Sequence, residues 1–169
     1  MGVFDMRKLA VLIATIWVAA TGMAPTATAA SLKDVVGTWT FVSNTAVRDG
    51  NKIELFGPGG RGQMILSADG RYMIVIVRAD LPKFGKNSRF EGTPEENRAV
   101  LQGSNAHYGS FSVDAAGVLT FNIEGATFPN WTGAVQRWQF TLTGGVLTYI
   151  IPTSTTGSGS GEVIWKRAK

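Results

Sequence analysis

The chain contains no cysteine. That excludes disulfides, thiolate metal sites and cysteine nucleophiles. It has a single histidine, His107, and no His/carboxylate spacing that would bind a metal. The Gly-x-Ser-x-Gly elbow of a serine hydrolase is also missing. Charged residues make up only 17% of the chain, and the formal charge of +4 comes from scattered basic residues without a run of one sign. Phosphate tracking needs a concentrated basic patch, so nucleic acid is not an expected partner. Helix-like periodicity is scarce. The one long apolar run, Leu9 to Ala20, is too short to span a bilayer comfortably.

That apolar run follows Arg7-Lys8 and precedes Ala27-Thr28-Ala29-Ala30. A charged segment, an apolar segment and small residues in this order mark a signal peptide. Residues 1–30 are therefore expected to be removed, with cleavage after Ala29 or Ala30, and translation starting at Met1 or Met6. The mature protein, residues 31–169, would be exported to a periplasm or secreted, with no membrane span left after cleavage. Its length suits one domain.

What the chain has in quantity is glycine, 21 residues, and alternation of period two. Val35 to Ser43 is a strand in which Gly37, Trp39, Phe41 and Ser43 share one parity. Asp49-Gly50 marks a turn. Lys52 to Phe56 is either a short strand or a covering loop. Gly57-Pro58-Gly59-Gly60-Arg61-Gly62 matches the letters of a dinucleotide loop, but a strand, Gln63 to Ser67, follows it. The phosphate-binding reading needs a helix N-terminus there and is rejected.

Asp69-Gly70 links that strand to Arg71–Arg78, which is apolar on both parities from Met73 to Val77. An outer apolar face calls for a cover. The expected cover is the loop with Phe84 and Phe90 and the helix opened by Thr93-Pro94-Glu95-Glu96, a capping box with proline at the first position. The two glutamates complement the helix dipole there. The helix runs to about Gln102, with Val100 and Leu101 available for packing. Strands Ala106–Val113, Val118–Glu124, Val135–Leu142, Val146–Ile151 and Glu162–Arg167 follow, separated by turns. Thr153 to Gly161 is a serine-, threonine- and glycine-rich connection. The fold expected is all-β: an eight-stranded antiparallel barrel with one short helix between the third and fourth main strands.

A narrower resemblance rests on particular residues. These are Gly37-Thr38-Trp39, Leu55-Phe56-Gly57-Pro58, Asp69-Gly70-Arg71-Tyr72, Arg78 to Phe84, Gly92 to Glu96, Tyr108 to Phe111, Phe128-Pro129-Asn130-Trp131, Arg137 and Trp165-Lys166-Arg167. Through almost all of residues 32–167 the chain resembles the bacterial and fungal lipocalin-like domain family. The resemblance implies a calycin-type barrel without implying one activity. It also implies that Trp39 closes one end of the barrel against a basic residue of the last strand, Arg167 or failing it Lys166. Members often carry histidine on the strand before the Pro-Asn-Trp turn; here that strand reads Thr120-Phe121-Asn122-Ile123.

Candidate ligand-binding residues are the occasional polar members of apolar faces: Tyr72, Arg78, His107 and Arg137, with Trp131 at a barrel lip. The two arginines suggest an anionic or enolisable group on the ligand, unless Asp80 or Glu124 pairs them. The primary expectation is a carrier of a small hydrophobic, anionic-leaning ligand, with no metal and no cofactor. The alternatives are a cofactor-independent isomerase or cyclase acting on a polyketide-like substrate, with catalytic residues undesignated, and an interaction module filled by its own side chains.

Overall fold

The computed structural model describes residues 30–152 and 159–169. The expected signal segment lies outside the described residues except for Ala30, as does most of the Thr153–Gly161 connection. The element order is α1 (Leu32–Val35), β1 (Gly37–Arg48), β2 (Asn51–Glu54), β3 (Arg61–Leu66), β4 (Arg71–Val77), α2 (Pro94–Gly103), β5 (Ser104–Val113), β6 (Val118–Ala126), a 3₁₀ turn (Pro129–Trp131), β7 (Val135–Thr143), β8 (Val146–Ile151) and β9 (Gly161–Arg167). Every pairing is antiparallel. β1, β3, β4, β5, β6, β7, β8 and β9 are bonded in that order, and β9 returns to β1 to close an eight-stranded barrel.

The helix falls after the fourth strand, not between the third and fourth. The difference is β2. β1 is 12 residues long and pairs with β3 only over Gly37–Thr40. Its second half needs a partner on the same edge. The Asp49-Gly50 turn, with both residues at positive φ (52° and 76°), folds the chain straight back. Such a turn matches the twist of a hairpin. Asn51–Glu54 then bonds Thr45–Arg48 as an arm beside the ring.

α2 is capped as its sequence requires. The Thr93 side chain accepts from the Glu96 N–H, and Glu96 accepts from the Thr93 N–H at 2.9 Å. It does not cover β4, however. Met73 and Val75 keep 52% and 40% exposure, and Phe90 is 98% exposed. The helix runs into β5 with no connecting loop, and its last residue, Gly103, accepts from the Arg78 N–H at 2.8 Å. This holds it at the rim where β4 and β5 meet, rather than over the barrel wall. Two shallow grooves, of about 420 and 440 Å³, flank Val75 on that wall.

The inward faces carry the core, among them Trp39, Met64, Leu66, Ile74, Leu119, Phe121, Leu147 and Trp165, all at most 1% exposed. One end is sealed. β1 starts at Gly37, two residues later than the alternation suggested, because Leu32–Val35 forms a helical turn across this end. The Trp39 indole N–H donates to the Val35 carbonyl at 2.8 Å. The Arg167 guanidinium lies 4.3 Å from the Trp39 ring centroid and donates to the carbonyls of Val36, at 2.9 Å, and Asp34. Gly37 sits at φ 138°, and a Cβ there would come within 2.7 Å of the guanidinium. The site needs glycine both for its backbone and for its space.

Trp39→Ala is expected to destabilise the fold by about 3–5 kcal/mol, through lost burial and the cavity left behind. Gly37→Ala should also be destabilising, with Arg167 displaced from the ring. Urea denaturation of both variants checks this, and wild-type midpoints would refute the role of the sealed end.

Candidate functional site

β7 and β8 pair over only part of their lengths. Their pairing is confined to Phe140–Thr143 with Val146–Tyr149. Below this the first half of β7 and the end of β8 part company. Along β7 the alternation is strict, but the inward residues Gln136, Trp138, Phe140 and Leu142 are only half-buried. Ile151, across the gap on β8, is also half-buried. Along this seam the inward residues of β7 are left half-buried.

Aromatic rings lead inward from this seam. Trp138 stacks on Tyr149 with centroids 6.5 Å apart and planes 8° from parallel. Tyr149 meets Phe121 edge-on at 6.4 Å, and Phe121 meets Tyr72 at 4.6 Å. The Tyr72 hydroxyl and His107 Nδ1 share a hydrogen bond of 2.9 Å, in which either can donate according to the imidazole tautomer. His107 meets Trp131 edge-on at 5.5 Å, and Trp131 meets Phe128 at 5.6 Å. The Phe128–Trp131 turn thus forms a lip at the far end of the chain of rings.

Why these residues converge follows from register. Ile74 pairs with His107, and Tyr72 with Gly109, on neighbouring β4 and β5. A bulge between Tyr108 and Gly109 leaves Glu124 without an opposite residue on β5. Glu124 then makes a two-pronged ion pair with Arg71 across the outside of the sheet. Gly109 permits the bulge, since a Cβ there would lie 2.0 Å from the Asn122 carbonyl oxygen.

The interior polar groups carry no charge near neutral pH. Burial pushes the His107 imidazole down to about 4, because the charged form loses its hydration. Burial raises the Tyr72 phenol, and it pushes Tyr149 up to about 12 against the opposing effect of a 3.4 Å hydrogen bond from the Trp165 indole N–H. The interior is thus apolar, with neutral hydrogen-bonding groups.

The structure brings together Tyr72, His107 and Trp131. It does not bring the two arginines to them. Arg78 sits at the rim in a two-pronged pair with Asp80, at 2.9 and 2.7 Å. Arg137 points outward from β7 and reaches Asp114 at 3.3 Å. The physical reason is alternation: Trp138 and Phe140 take the inward parity of β7, so Arg137 takes the other. Sequence reasoning did not single out Tyr149, Trp138, Gln136 or Asn44. The alternation of β7 and β8 carried the signal for the first three. Asn44 gave none, because a slipped register against β9 sets it opposite the buried Val163. Among the described residues no group of three or more His, Cys, Asp or Glu could hold a metal, and no helix is long and apolar enough to cross a membrane.

A closed eight-stranded antiparallel barrel with one sealed end is an architecture used by small-molecule-binding barrels. The model of one family, described as lipocalin-like domain, matches residues 36–168, and the chain belongs to that family. No curated protein matches the sequence at a significant level.

His107 should make stability depend on pH. An imidazole in the unfolded chain titrates near 6.5, but in the fold near 4. Between these values the unfolded chain binds more protons, so acid favours unfolding. The full contribution is present above about pH 6.5 and falls by roughly 3 kcal/mol as pH drops to 4. His107→Gln should flatten that part of the profile. Urea titrations of wild type and variant at intervals from pH 7.5 to 4 measure it, and parallel profiles would contradict the buried neutral imidazole.

Proposed function

We propose that the protein holds a small, largely apolar and uncharged ligand within the barrel, and that the ligand enters between β7 and β8. The carrying observation is that β7, paired with β8 over only four residues, alone among the barrel strands presents a half-exposed inward face, led by Trp138 stacked on Tyr149. Membership of the lipocalin-like family supports binding of a small hydrophobic molecule in general terms. The lack of charge is our own reading. The preference for an anion rested on Arg78 and Arg137, which are engaged with Asp80 and Asp114 away from the interior. Export is supported by the order of charged, apolar and small residues in 1–30, so the carrier would work in a periplasm or outside the cell.

The alternative, a cofactor-independent isomerase or cyclase, draws on the same Tyr72–His107 pair. An imidazole pushed down to about 4 is a weak base at neutral pH. The pair is therefore better suited to hydrogen bonding with a bound molecule than to abstracting its proton.

Titration with the neutral fluorescent probe N-phenyl-1-naphthylamine tests the reading. Saturable binding is expected, displaced by methyl laurate more effectively than by laurate. Trp138→Ala should weaken it about tenfold, equivalent to ~1.4 kcal/mol, whereas Arg137→Ala should leave it unchanged. No saturable binding would refute the carrier, and laurate outcompeting its ester would refute the uncharged ligand.

A further inference from the structure

The outer wall around β4 presents an apolar face that no described part of the chain covers. Tyr72, Ile74 and Ile76 take the inward parity of β4 and are buried, so Met73 and Val75 point outward. Register then fixes their neighbours. Across β1, β3, β4 and β5, one row reads Thr38, Ile65, Met73 and Tyr108, and the next reads Thr40, Gln63, Val75 and Ala106. Directly opposed residues share a face, so all eight stand on the outside. None of them is charged. Ile65 is 41% exposed and Tyr108 50%, as open to water as their neighbours on β4. Charge begins one row beyond at each end, with Arg61 on β3 and with Arg71, which Glu124 holds. A centre depleted of charge and carrying methionine and tyrosine, with charge at its edge, is the composition of a protein–protein contact.

The relief of the wall says which protein fits. Val75 lines both of the grooves, of about 420 and 440 Å³, and stands between them. Gly60 and Gly62 line the first, Ala106 and Gly125 the second. These small residues leave a trough on each side of the ridge. The Tyr108 ring lies over Gly125, where a Cβ would come within 2.7 Å of it, and so forms a fixed side of the second trough. A ridge with a trough beside it is complementary to its own copy turned over by a two-fold axis in the contact plane. Val75 of each copy then enters a trough of the other, and the same surface is used twice, as an isologous interface requires.

The size of the face agrees. Four strands span about 19 Å, and the seven residues of β4 about 23 Å. With the rim of Arg61, Thr127 and Thr132 this comes to roughly 600 Å² per copy, at the lower end of specific interfaces. The barrel wall curves away on both sides, so the contact does not reach the larger area of permanent dimers.

We infer that the β3–β4–β5 wall is the contact between two copies of this chain, which associate reversibly about a two-fold axis with Val75 at its centre. The inference is separate from the ligand reading, because the barrel interior lies on the other side of these strands.

Sedimentation velocity tests it, over concentrations that bracket a dissociation constant on the order of 50 µM, the strength expected of so small an interface. Monomer should give way to dimer across the series. Sodium chloride at about 1 M should not reverse this, because the contact is apolar and is not screened. Val75→Glu should raise the dissociation constant at least about tenfold, since it buries two carboxylates against each other. Val75 points outward in the monomer, so circular dichroism of the variant at low concentration should match wild type. Met73→Lys is the second variant should glutamate disturb the strand. Ile150→Glu changes a comparably exposed residue on β8 and should leave association as it is. The cysteine-free background allows a direct check: a short bismaleimide should crosslink Val75→Cys to a dimer and leave Ile150→Cys monomeric. Wild type that stays monomeric at the highest concentration overturns the dimer. A dimer that dissolves in salt, that survives both Val75→Glu and Met73→Lys, or that Ile150→Glu breaks instead, overturns this wall as the contact.

Discussion

Arg167 ties the last strand to the first turn of the chain, and much of the rest depends on that tie. Its guanidinium lies over Trp39 and takes up two carbonyls, of Asp34 and Val36, that the short helix α1 leaves unpaired. The orphan carbonyls of a helix end and the π-face of a tryptophan are both attractive to a cation. One side chain thus satisfies the α1 turn, seals the barrel end and holds β9 against β1. Without the β1–β9 ladder the sheet would have two free edges. With it, the interior is enclosed and the register of every inward residue is set.

That closed frame lets the nearby β7–β8 seam pair less completely. β7 and β8 pair over four residues each and then separate, a gap that a sheet with free edges would have difficulty holding. The half-buried Trp138 ring of β7 stacks on Tyr149. Full and partial burial are therefore divided between the sealed end and this seam. Trp39 is fully buried and hydrogen-bonded, whereas Trp138 is only half-buried.

Electrostatics follow the same division. The charged pairs Arg71–Glu124, Arg78–Asp80 and Arg137–Asp114 are all on the rim or outer surface, where each contributes little to stability. The interior holds Tyr72, His107, Tyr149 and Asn44. Desolvation keeps the three titratable ones neutral. A charge placed in this interior would need a partner that the barrel does not offer, which is why the neutral interior and the paired surface arginines belong to a single description. The exposed apolar wall at Ile65, Met73, Val75 and Tyr108 lies outside this scheme.

Local chemistry was enough to make much of this legible. Period-two alternation, turn residues such as Asp49-Gly50 and Asp69-Gly70, and the capping box at Thr93–Glu96 are short-range signals, and they located the strands, the hairpins and the helix. The Gly-x-Trp opening and the basic terminus suggested the sealed end. The same alternation, followed consistently, would have put Arg137 outside and Trp138 inside. The rest depended on contacts distant in sequence. β2 became a strand because β1 outruns β3. α2 stayed at the rim because it runs directly into β5. Tyr72 met His107, 35 positions away, only through the β4–β5 register. Asn44 could not be found from its own strand, because one slipped residue against β9 reverses which face it occupies. The sequence by itself determined the alternation, the turns and the residues available to a barrel. The tertiary structure decided which of them share its interior, since a bulge or a splayed strand is set by partners that local sequence does not contain.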